Sequence, residues 1–146
     1  MVENRPGAGG RIGTEAAVSA AADGYTLLAY SNNLWLLPFL RKDMPFALTD
    51  FAAITMLGSS PNVLVVHPSV AAKSVLDVIA LAKAEGGKLT YASAGIGSAT
   101  HWGAERFRVA AGLEATHIPF KGGPEALTEV VTGRVDFMSI GISSGL

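Results

Sequence analysis

Two rhythms of apolar and polar positions divide the chain. From residue 63 onward, short apolar runs alternate with stretches of helical spacing. The apolar runs are "VLVVHP" (63–68), "KLTYAS" (88–93), "ATHIPF" (115–120) and "RVDFMSI" (134–140). Continuous apolar runs of this length, closed by turn residues, predict strands covered on both faces. Between them, "VLDVIALAKAEG" (75–86) sets Val75, Val78, Ile79 and Ala82 at helical spacing, with Ser74 as N-cap and Gly86–Gly87 as the stop. A second helix is predicted from about Thr100 to Ala111, and a third over "PEALTEVVTG" with Pro124 in its first turn. Strand–helix–strand at this rhythm predicts right-handed βαβ units and a parallel sheet.

Before residue 63 the pattern is looser. Gly10 to Ala22 reads as an alanine-rich helix broken at Asp23–Gly24, and "YTLLAY" (25–30) and "FAAITML" (51–57) read as strands. Between them "LWLLPFL" (34–40) is too short and too proline-interrupted for a regular helix, so it has to bury itself against something else. Little precedes the first helix and only "GISSGL" follows the last strand, so the expected fold is α/β and incomplete at both ends.

Composition narrows the function classes. Hydrophobic residues make up 49% of the chain, yet no uninterrupted run reaches the roughly 18 residues that span a bilayer. Eleven Lys and Arg against twelve Asp and Glu leave a net charge of -1, without the basic excess of a nucleic-acid surface. Cysteine is absent, which removes disulfides, thiolate nucleophiles and Cys-ligated zinc. The opening "MVENRPGAGG" has neither the basic nor the apolar region of a signal peptide, so no export signal is expected within this chain.

Four motifs bear on chemistry. "RPGAGGRIG" (5–13) suggests a dinucleotide fingerprint, but it lacks the third glycine, the preceding strand and the ribose-binding acid. It reads instead as a glycine turn that lets a helix start close to its neighbour. "YASAGIGSATHWGAERF" (91–107) places a glycine-rich turn and a helix N-terminus at the carboxyl end of a strand, where open α/β sheets bind ligands. Free amides and the helix dipole there favour an anion. Ser98 and His101 invite comparison with a nucleophile and base, but "GIGSAT" misses the second glycine of a nucleophile elbow and no acid is placed to orient His101. "PFKGGPEAL" (119–127) repeats the strand–loop–helix arrangement and adds the cation of Lys121. The two loops are expected to converge on one crevice. His67 and His117 fall in apolar strands, and the three histidines show no metal-ligand spacing, so no metal or other cofactor is expected.

In combination these segments resemble the solute-binding proteins of tripartite tricarboxylate transporters, the Bug-type family. The resemblance is carried by "VENRPGAGGRIGTEAA", "ADGYTLL", "MPFALTDFAAIT", "PNVLVVHPSV", "KSVLDVIALAKA", "GKLTYASAGIGSATH" and "HIPFKGGPEALTEVVTGRVDFM". It implies a periplasmic-binding-protein-like fold of the type II, Venus-flytrap kind, with residues 1–58 in a first lobe and 59–146 in a second. It implies a non-enzymatic, periplasmic protein, monomeric when complete, that closes on a small carboxylate and presents it to membrane permease subunits. Mapped residue by residue, the ligand contacts would be Ser31, Asn32, Ser93, Ala94, Gly95, Gly97, Ser98, Thr100, His101, Lys121 and Gly122. Two departures from the family pattern stand out. "SNNLW" offers Asn where members carry a small residue or Thr and a His, and Gly141 stands where many carry an acid that meets a ligand amino group. A plain carboxylic acid is therefore expected over an amino acid. The alternatives are an enzyme acting on a phosphorylated or acyl substrate through Ser98 and His101, or a nonfunctional fragment with exposed apolar surface around Leu34, Trp35, Leu36 and Phe39.

Overall fold

The computed structural model of the chain describes residues 1–40 and 42–145, leaving out the side chains of Asn32, Asn33 and Ser144. Four strands form one sheet: β1 (Asn62–Val66), β2 (Thr90–Ser93), β3 (Thr116–Pro119) and β4 (Phe137–Gly141). Helix α1 is Arg11–Val18 and α2 a single turn, Leu37–Leu40. Helices α3 (Val75–Glu85), α4 (Ala99–Ala111) and α5 (Gly123–Val131) alternate with the strands, and a short α6 (Ile142–Gly145) follows.

The sheet order is β1-β4-β2-β3. Strand β2 runs parallel to β3, from Thr90 opposite Thr116 to Ser93 opposite Pro119, and parallel to β4 through Tyr91–Phe137 and Ala92–Met138. Strand β1 is antiparallel to β4, from Asn62 opposite Gly141 to Val66 opposite Phe137. The sheet is therefore mixed, which corrects the all-parallel expectation. A doubly covered apolar run reveals burial, not direction, and β1 and β2 are separated in space by β4.

Side-chain alternation explains the apolar runs. Tyr91 and Phe137 point to one face, where they pack with Ala82, Leu89, Ala104 and Leu113, and with Leu64 and Val66 of β1. Ala92 and Met138 point to the other, with Ala126, Val130, Val135 and Ile140, and with Val63 and Val65. Both central strands are thus buried on both sides. The start of α3 follows its sequence signal: Ser74 Oγ accepts from Asp77 N–H (3.2 Å) while Asp77 accepts from Lys73 N–H (2.9 Å), closing a reciprocal cap, whereas α1 ends at Val18, short of the expected break at Asp23–Gly24.

Residues 25–30 and 51–57 form no strand, which corrects two further expectations. Both segments have β-type composition, but every strand among the described residues lies between 62 and 141, and a lone strand has no ladder for its backbone groups. Tyr25 (92% exposed), Ile54 (74%), Met56 (79%) and Leu57 (83%) stand in solvent. The "LWLLPFL" run folds as a 3-10 turn (Asn32–Leu36) leading into α2. Leu34 and Leu37 are buried with Phe46 in a small third cluster, while Trp35 and Phe39 are exposed. The apolar patch anticipated there exists only in part.

Candidate functional site

The β2–α4 loop and the β3–α5 loop leave adjacent parallel strands at the same end of the sheet. Phe120 N–H donates to Ser93 O (2.9 Å), extending the pairing one residue past β3. Between the loops lies a hollow of about 380 Å³, walled by Gly95 and Ile96 on one side and by Pro119, Phe120, Lys121 and Glu125 on the other. Ala8, from the glycine turn ahead of α1, supplies a third side.

Three chain segments meet closely here, and glycines permit it. Gly9 is buried with φ +68°, and a Cβ on it would collide with the Ile96 carbonyl. Gly95 has φ +105°, and its Cβ would stand 3.1 Å from Gly9 N and 3.3 Å from Phe120 O. "RPGAGG" is therefore a close-approach turn that ends as one wall of the hollow. Its packing role was readable from the glycines, but Ala8 as a wall was not, because nothing local in the sequence states which loop it meets. Tyr30 secures this turn through a hydroxyl bond to Gly9 O.

The loop amides are not the open donors that sequence reasoning expected. Ala94 N–H donates to Thr100 Oγ1 (2.9 Å), Gly95 N–H to Ser93 Oγ (3.1 Å) and Gly97 N–H to His101 Nδ1 (3.3 Å). Ser98 N–H donates to Gly95 O (3.1 Å), and Ser98 Oγ accepts from His101 N–H (3.2 Å) as the N-cap of α4. At the second loop, Lys121 N–H donates to Glu125 Oε2 (3.0 Å). A carboxylate from the first turn of α5 thus occupies the place allotted to a ligand anion. Short polar side chains after a glycine turn cap their own backbone, which is the physical reason for the correction.

The polar groups that remain are few. Ser98 Oγ and Thr100 Oγ1 lie 3.0 Å apart, so one hydroxyl proton is spent between them and the other is left over. The Lys121 side chain brings a cation to the wall of the hollow, with Glu125 beside it.

Of the eleven expected contacts, Gly95 and Lys121 line the hollow. Ala94, Gly97, Ser98, Thr100 and His101 build the loop behind it. Gly122 is the N-cap of α5. Ser93 is fully buried and acts from beneath the loop. Ser31 is the N-cap of the 3-10 turn, its carbonyl accepting from Leu34 N–H (3.1 Å), and the side chain of Asn32 lies outside the described residues. Ser31 is not in the wall of the hollow. The first-region segment does reach the loop: a Cβ on Gly97 would touch Leu37 (3.0 Å) and Leu40 (3.2 Å).

Ser98 and His101 are not arranged as nucleophile and base, since Ser98 Oγ meets the backbone of His101 and the ring faces Gly97. A different serine–histidine contact exists, Ser93 Oγ to His117 Nε2 at 2.6 Å, but Ser93 is 0% exposed and no substrate reaches it. Sequence reasoning missed this contact, although strand register offers a signal: Ser93 lies opposite Pro119, two residues past His117. The His117 ring packs on Tyr91 (centroids 4.8 Å) and on His101 (4.4 Å). Burial, then the neighbouring His101, push His117 down to about 4, with Glu105 opposing. Burial lowers His101 as well, again against Glu105. Glu105 itself is held low, first by Arg108, and also receives the Tyr91 hydroxyl.

Comparison with known proteins agrees with this architecture. Residues 1–145 match the model of the tripartite tricarboxylate transporter family receptor. Protein BugT of Bordetella pertussis is 38% identical over 138 residues, covering 92% of this chain and 42% of BugT. The solved periplasmic binding protein BugD is 29% identical with a TM-score of 0.90, over 99% of this chain and 51% of that one. Rpa4515 of R. palustris, solved with adipate, is 27% identical with a TM-score of 0.84, over 99% of this chain and 49% of that one. The chain spans less than half the length of the curated relatives it matches. A match along nearly the whole chain means that this chain belongs to the tripartite tricarboxylate transporter receptor family.

Proposed function

We propose that this chain forms part of an extracytoplasmic receptor that captures a small di- or tricarboxylate, or a related organic acid, and delivers it to the permease of a tripartite tricarboxylate transporter. The observation that carries the reading is the hollow at the ends of two adjacent parallel strands, with Lys121 in its wall. The adipate held by Rpa4515 supports the ligand class. In this reading residues 1–58 belong to one lobe and 59–146 to the other. Lys121 meets one carboxylate, the spare hydroxyl proton of Ser98 and Thr100 meets another oxygen, and Ser31 and Asn32 approach from the first lobe as the two close.

Magnitudes require that closure. Micromolar capture corresponds to about -8 kcal/mol, whereas one hydrogen bond to a charged group contributes about 1.5–3 kcal/mol. The rest must come from further contacts and from excluding water, which strengthens each of them. The test is calorimetric titration of the chain with adipate and other C4–C6 dicarboxylates against their dimethyl esters. The diacids are expected to bind, the esters not, and Lys121→Ala is expected to weaken binding about ten- to hundredfold, the equivalent of that one charged contact. Equal binding of diacid and ester would overturn the reading.

A further inference from the structure

Behind the hollow, two histidines hold the glycine loop by bonds that depend on where their protons are. Ser93 has one hydroxyl proton. Its oxygen accepts from Gly95 N–H (3.1 Å) and lies 2.6 Å from His117 Nε2; with the ring neutral and that nitrogen bare, the hydroxyl proton goes to Nε2. His101 Nδ1 accepts from Gly97 N–H (3.3 Å) and must be bare as well. The two rings touch, with centroids 4.4 Å apart. One of the two loop glycines is thus tied through Ser93 to a strand histidine and the other directly to a helix histidine.

We propose that His101 and His117 are a pair of positioning residues that keep the β2–α4 loop closed on itself only while both rings are neutral, so that the loop loosens on acidification. A proton on His117 Nε2 sets two hydrogens facing across the Ser93 contact. The hydroxyl can turn away, but Ser93 is fully buried, and its proton then needs a new acceptor there. A proton on His101 Nδ1 meets the Gly97 N–H head on. Two imidazolium rings at contact also repel each other.

The charged and titratable groups acting on the pair come from two elements besides β3. Glu105, one turn along α4 from His101, favours protonation of both rings, but it is committed to Arg108 (2.9 Å) and to the Tyr91 hydroxyl of β2. The sign is therefore set by burial. A histidine ordinarily titrates near 6.5, and His117 is pushed down to about 4. The unfolded chain takes up the proton first, so the stability lent by the neutral ring is full above about pH 6.5 and falls as pH drops toward 4.

The lock itself is independent of what the hollow binds; only its consequence, weaker carboxylate capture in acid, rests on the function proposed above. The test is NMR on the whole chain between about pH 7.5 and pH 4.5, following amide exchange corrected for its intrinsic pH dependence. Protection at Gly95 and Gly97 is expected to fall by about tenfold or more, while Met138 in the sheet centre stays protected. His117→Gln, which cannot take up a proton, is expected to flatten the pH dependence at Gly95 whatever its level at neutral pH. Flat protection in the wild type, a parallel fall at Met138, or an unchanged slope in the variant would each overturn the proposal. An adipate titration at about pH 7.5 is run separately, and its failure counts against the carboxylate reading alone.

Discussion

The region before residue 62 and the region from 62 to 141 carry similar apolar runs and meet different fates. "YTLLAY" and "FAAITML" resemble "VLVVHP" and "RVDFMSI" in composition, yet the first two are irregular and the last two form most of β1 and β4. The difference lies in partners. Phe137 and Met138 sit between two neighbouring strands and two layers of helices, whereas Ile54 and Leu57 face solvent. Strand propensity is realised only where a ladder and a packed face already exist to receive it.

Three substitutions sharpen that contrast, the largest first. Phe137→Ala empties a site in contact with Tyr91 and Phe107 and is expected to cost about 3–5 kcal/mol in chemical denaturation. A loss under about 1 kcal/mol would mean that the sheet centre is packed more loosely than described. Gly9→Val places a branched side chain at a left-handed φ and into the Ile96 carbonyl, with an expected cost of about 1–3 kcal/mol. Thermal melting and near-UV spectra would report it. Ile54→Ser is expected to change stability by no more than about 0.5 kcal/mol, because the residue is 74% exposed. A large loss there would erase the distinction between the two regions.

Much of the second region was legible because its signals are local. Ser74 and Pro124 mark helix starts from sequence alone, and the structure puts them in those roles. The convergence of the 93–98 and 119–122 loops also follows from βαβ rhythm, since parallel neighbours send their loops to the same end of the sheet. What was not legible depends on distant residues. The antiparallel course of β1 is set by β4, some 70 residues later. The occupied amides of the loop depend on how Thr100, Ser93 and His101 turn back toward it. A motif states which groups are near in sequence, not which of them spend their hydrogen bonds on each other. The strand expectations at 25–30 and 51–57 failed for the same reason, because pairing is a property of two segments.

The position of β4 has a consequence for how this molecule assembles. It follows β1, β2 and β3 in the chain, yet its place is in the interior of the sheet, between β1 and β2. Until residues 137–141 leave the ribosome, β1 and one side of β2 lack their β4 partner. The nascent chain must therefore hold a gap open, with sticky edges exposed, from the emergence of β1 until that of β4. A chaperone that shields those edges would act before β4 emerges and have nothing left to cover afterwards.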